Sequence, residues 1–172
     1  MRNVLRWIDN CCLSVNAQKC KSMDIITKKN IHIDPVLLSD NSPMVQTSTV
    51  NILGCCFSSD LKWNSNILNL LRKASKRIYI LLHLKRSGCP AETIFSIYCA
   101  LIRPVLLYGY PAWCNIPDYL KRQLFSVEKR ALRIIGEELS DHLSLFTMGD
   151  NICLKLFKNV ESQRDHPLRC FF

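Results

Sequence analysis

The residues of this chain best able to do chemistry are its cations. Residues 61–133 hold 13 Lys and Arg against 3 Asp and Glu, while the rest of the chain carries 10 against 11. The formal charge of +9 therefore arises in one stretch. Nine of its cations form two groups: Arg72, Lys73, Lys76 and Arg77, then Lys121, Arg122, Lys129, Arg130 and Arg133. Cations grouped in this way point to an anionic partner, nucleic acid or lipid head groups, and on a nucleic acid they would contact phosphates without reading sequence. A merely solvated basic surface is the plainer reading, and the tight grouping counts against it.

The other reactive side chains do not assemble. Ten cysteines stand at 11, 12, 20, 55, 56, 89, 99, 114, 153 and 170, with no two separated by two residues. None has a histidine at zinc-finger spacing, which predicts reduced thiols and no metal site. Cys99, Cys114 and Cys153 lie in apolar runs, where a thiol acts as a small hydrophobe. His32, His83, His142 and His166 are scattered and receive no role. The opening "MRNVLRWIDNCC" has no long apolar region, so the expectation is an intracellular protein, nuclear or cytoplasmic and not secreted.

Hydrophobic period supplies the elements that would carry these residues. Residues 2–15 read as a short amphipathic helix with Val4, Leu5, Ile8 and Cys12 on one side. After a turn at Asn16 a strand is expected over 22–26, then strands within 30–36 and 44–57, separated by "SDNSP". From Asn64 the period becomes helical: Ile67, Leu71, Ala74, Ile78 and Leu81 or Leu82 form a stripe opposite Arg72, Lys73, Lys76 and Arg77. Pro90 suits the first position of a second helix, which Pro104 should stop or kink near Arg103. A third runs from near Pro117 to Ile135, with Gly136 as its cap and a stripe of Leu120, Leu124, Val127, Ala131 and Ile134. One or two shorter helices follow. The fold class is α+β: a small antiparallel sheet in 1–62, a three-helix bundle in 63–136 and a helical extension in 137–172.

The stretch from Glu92 to Cys114 contains one charge between its ends, Arg103. It is long enough to span a bilayer, but a charge near its centre would cost about 2.5–3.5 kcal/mol. Its amphipathic neighbours each need an apolar partner, so a buried helix and no membrane contact are expected. Arg103 should then extend past the helix end to solvent or an acidic partner. Leu101 is expected to be a central packing residue. Tyr98, Tyr108 and Trp113 are read as core aromatics rather than base-stacking ones.

Order and spacing of several motifs resemble the region after the catalytic hairpin in reverse transcriptases of non-LTR, LINE-type retrotransposons. "LRWIDNCCLSVNAQKCKSM" presents Trp7, Asn16 and Lys19 where that family has a helix, an Asn and a Lys before a strand. "VNILGCCFSSDLKW" is similar to its Leu-Gly hairpin with an Asp-Leu-x-Trp tail, here Leu53, Gly54, Asp60, Leu61 and Trp63. Tyr98, Ile102 and Pro104 match a Tyr-x-x-x-Ile-x-Pro pattern, and Tyr108, Gly109 and Trp113 a Tyr-Gly-x-x-x-Trp ending. "VEKRALRIIG" and "HPLRCFF" resemble the later elements, so the likeness covers nearly the whole chain.

The resemblance implies the trailing edge of a polymerase palm, with a primer grip at Leu53 and Gly54, followed by a helical thumb. It implies that Lys19 could assist pyrophosphate departure in an intact enzyme, where Mg²⁺ would be the cofactor. No two aspartates are adjacent here, so the family's metal-binding pair is not in this chain. The expectation is a fragment of an RNA-directed DNA polymerase that binds primer and template non-specifically, holds no metal or cofactor, and is inactive alone. Its partners would be RNA or DNA and the missing palm and fingers. The alternatives are a retrotransposon-derived protein-interaction module or a decayed reading frame.

Overall fold

The computed structural model describes residues 6–8, 10–26, 44–136, 144–163 and 166–169. The chain divides into two compact units, Met1–Lys62 and Trp63–Phe172. Short strands in the first and long helices in the second make the fold α+β.

In the first unit, residues 6–8 and 10 are helical and the helix closes in a turn at Cys11 and Cys12. The Cys11 N–H donates to the carbonyls of Trp7 and Ile8, both at 3.1 Å, and Cys12 adopts φ 53°. A left-handed residue ends a helix, so it stops short of Val15. A 3₁₀ turn, Ala17–Lys19, leads into β1 (Lys21–Ser22), much shorter than the strand expected over 22–26. β1 pairs in parallel with β2 (Val45–Gln46), which differs from the expected antiparallel arrangement. β3 (Thr49–Ile52) and β4 (Cys55–Ser58) do form an antiparallel hairpin, Ile52 facing Cys55 across a two-residue loop. The strand expected within 30–36 lies outside the described residues. Cys56 is the only buried side chain among those described in this unit.

The second unit is helical. α1 (Asn64–Arg86) packs against α5 (Asp118–Ile135), and α2 (Ala91–Leu101) contacts both. Ile67, Leu70, Ala74, Ile78 and Leu81 form the buried stripe of α1, with Leu71 only half-buried at its edge. Pro90 is the cap residue before α2 rather than its first helical position. The chain then bends at Ile102, φ −101°, and α3 (Arg103–Leu106) begins with Pro104 in its first turn. Pro104 has no N–H to continue the ladder of α2, so the N–H groups of Val105 and Leu106 both turn to the Ile102 carbonyl at 3.1 and 3.2 Å.

Gly109, at φ 68°, starts the single turn α4 (Tyr110–Trp113). The Trp113 indole N–H closes it by donating to the Tyr108 carbonyl at 2.8 Å. α5 occupies the expected range, between Pro117 and a left-handed Gly136 at φ 96°. One long helix follows, α6 (Leu145–Ser162), in place of one or two shorter ones, and its Ser144 cap accepts from the Thr147 N–H. α6 packs against α4. Among the described residues no helix is long and apolar enough to cross a membrane.

Candidate nucleic-acid interface

The helical period decides which cations face outward. On α1, Arg72 and Lys76 lie opposite the buried stripe, Lys73 on a flank and Arg77 nearer its edge, and all four are exposed. Arg72, Lys76, Tyr79, His83 and Arg86, spaced three or four apart, form one exposed line, and α1 contains no acid at all. On α5, Arg122, Lys129 and Arg133 stand opposite the Leu120–Leu124–Ala131 side, with Arg130 on one flank. Arg103 and Glu128 are buried, so the surface between 61 and 133 keeps 12 cations against 2 acids, an excess of ten.

Two of the nine cations already have protein partners. Arg77 donates through Nη1 to the Leu101 carbonyl, capping the C-terminal end of α2, so it is held by the fold as well as facing solvent. Lys121 lies 3.9 Å from Asp118 one turn earlier on α5, an exposed pair worth at most about 1 kcal/mol. The other seven are Arg72, Lys73, Lys76, Arg122, Lys129, Arg130 and Arg133.

Arg103 meets an acidic partner, one of the two expected outcomes, but inside the core rather than past the helix end. It is buried, with its guanidinium carbon 5.0 Å from the ring centre of Tyr98 and 5.7 Å from that of Phe95. Nη1 donates to the Cys99 sulfur at 3.5 Å, and Nη2 stands 4.0 Å from Glu128 Oε1. Glu128, buried too, accepts from the Tyr98 hydroxyl at 3.3 Å and from the Leu145 N–H at 3.3 Å. One carboxylate therefore joins α2, α3 and α5 to the first residue of α6. Burial raises the Glu128 pKa, against the lowering effects of the Leu145 N–H, Arg103 and Tyr98. Burial, then the Glu128 charge, holds the Tyr98 hydroxyl above the ordinary phenol range. Leu101, by contrast, is 40% exposed and not a central packing residue.

Sequence reasoning missed Glu128, although its position was a signal. It falls four residues after Leu124 and three before Ala131, on the apolar stripe itself. An acid there demands a buried partner. The motif aromatics Tyr98 and Trp113 are core residues, while Tyr108 is 49% exposed.

The candidates of the first unit stand in their own surroundings. Lys19 is exposed at the end of its 3₁₀ turn, with its backbone N–H bonded to Asn16 at 3.3 Å through Oδ1. Leu53 and Gly54 are the hairpin loop, at φ 48° and 85°. Positive φ at both is the pattern of a type I′ turn, whose twist suits the strands. Leu53 is 87% exposed at the tip. Asp60 accepts from the Ser58 hydroxyl and the Lys62 N–H, bonds that hold its carboxyl below the usual range.

An apolar cavity of about 310 Å³ lies beside α6, lined by Pro111, Cys114, Cys153, Leu154, Phe157 and Val160 among others. Burial raises the Cys153 pKa, and the neighbouring Cys114 thiol raises it further. All nine described cysteines are free thiols. Among the described residues no three His, Cys, Asp or Glu side chains converge as a metal site would require. No protein-family model, curated protein or solved structure matches the chain.

Proposed function

We propose that this chain is the palm-edge and thumb portion of a LINE-type reverse transcriptase, and that α1 and α5 bind the sugar-phosphate backbone of a primer–template without sequence preference. The observation that carries this reading is the surface excess of ten positive charges on the stretch containing these two helices, which pack together through their apolar sides. Surfaces of this charge attract phosphates by releasing their condensed counterions, and contacts of this kind do not distinguish bases. The sequence likeness supplies the polymerase context, with Leu53 and Gly54 at the primer grip and Lys19 as an accessory group in the intact enzyme.

Fluorescence anisotropy with a labelled duplex across a salt series tests the proposal. Affinity should fall steeply with salt and vary little with sequence. Replacing Lys129, Arg130 and Arg133 by Ala should lower the log–log slope by about 2–3, if each contacts one phosphate. An unchanged slope and affinity in the triple variant would leave these residues as a solvated surface.

A further inference from the structure

Tyr79 is the one large aromatic on the outward line of α1, and 61% of it is exposed. Its ring meets that of His83 edge-on, centroids 4.1 Å apart and planes at 78°, which restrains both rings on the surface. Arg72 and Lys76 precede the pair on the same line and Arg86 follows it. At 1.5 Å per residue, Arg72 and Arg86 each lie about 10 Å along the axis from Tyr79. An exposed tyrosine alone needs no explanation. A restrained aromatic pair within a line of cations, on a helix with no acid, fits a particular ligand: phosphates on either side and a flat, apolar base between them.

We infer that Tyr79, braced by His83, is a stacking platform for an unpaired base of a single-stranded nucleic acid whose phosphates lie on Arg72, Lys76 and Arg86. This rests on the phosphate-binding reading and extends it, because phosphate contacts alone do not separate a strand with bases from the same strand with abasic sugars. Every base offers a π-face, so the site takes any sequence, but only where the base is unstacked. A duplex keeps its bases stacked inside and offers Tyr79 nothing beyond phosphates.

The test compares three labelled probes of equal length: a twelve-thymidine strand, the same strand with abasic sugars, and a twelve-base-pair duplex. The 172-residue chain should bind the thymidine strand about 5- to 150-fold more tightly than the abasic strand, the range that one stacked base supports. Tyr79→Ala should abolish that preference while leaving the slope of affinity against salt unchanged, and Tyr79→Phe should retain it. Because the side chain is mostly exposed, neither variant should unfold the protein, and circular dichroism checks this. Equal binding of the thymidine and abasic strands with a normal salt slope would overturn the stacking platform and leave the phosphate-binding reading standing. So would a preference that survives Tyr79→Ala, or a loss of duplex affinity in Tyr79→Ala equal to the loss for the thymidine strand. Failure to bind any of the three would overturn both.

Discussion

The ring of Tyr110 lies so close to the backbone of Gly149 that a β-carbon on Gly149 would overlap three ring atoms. The same tyrosine donates its hydroxyl to Asp150 Oδ1 at 2.9 Å. Together these contacts seat α6 on α4. Glycine is required at 149 for lack of space rather than for its backbone freedom. Gly149→Ala should destabilise the protein by about 1–3 kcal/mol, as overpacking does. Tyr110→Phe should cost about 0.5–1.5 kcal/mol for the hydrogen bond alone. Urea unfolding of the helical unit measures both. A neutral Gly149→Ala would mean that α6 does not sit on Tyr110 in solution.

The Arg103–Glu128 pair gives a sharper contrast. Removing one partner leaves the other buried without its counter-charge, so Arg103→Met and Glu128→Leu should each cost about 3–5 kcal/mol. Replacing both, as Arg103→Met with Glu128→Leu, should recover much of the loss, because an apolar pair needs no desolvation of charge. Leu101→Ala should cost less than the 2–5 kcal/mol of a buried leucine, since its side chain is 40% exposed. Denaturant midpoints of the four variants decide the ranking. Additive losses in the double variant would show that the two charges do not interact.

Glu128 also makes stability depend on pH. Its pKa is raised in the folded state, chiefly by burial, above the ordinary 4.5. The folded state therefore holds the proton more tightly than the unfolded state. Its contribution is full below pH 4.5 and declines as pH rises through the folded value. Tyr98 and Tyr110, both raised chiefly by burial above the ordinary 10.0, act likewise at alkaline pH: their contribution is full below pH 10 and is lost above it. Glu128→Gln should flatten the acid limb, and Tyr98→Phe the alkaline limb. Melting temperatures measured from pH 4 to 11 would show each change, and limbs that persist in the variants would assign them to other groups.

Primer extension bears on the polymerase context. The chain contains no adjacent aspartates, so the carboxylate pair for a two-metal nucleotidyl transfer must come from elsewhere. Purified protein with primer, template, nucleotides and Mg²⁺ should give no extended product above buffer. Extension that copurifies with this chain and responds to Lys19→Ala would place a catalytic centre within it.

What the sequence by itself determined is local. The repeat of apolar residues from Ile67 to Leu81 and from Leu120 to Ala131 set the inward faces of α1 and α5, and thereby the outward faces of their cations. Pro117 and Gly136 marked the ends of α5, because one starts a helix favourably and the other accepts the left-handed turn that ends it. Leu53-Gly54 between two β-rich runs marked a hairpin. The tertiary structure decided what depends on residues far apart in the chain. Arg103 stays inside beside Glu128 of another helix, which supplies an opposite charge, and no local pattern contains that pair. β1 became a parallel strand through pairing with Val45 and Gln46, more than twenty residues later. Periodicity records which side of a helix is apolar. Which charge meets which depends on how the helices pack.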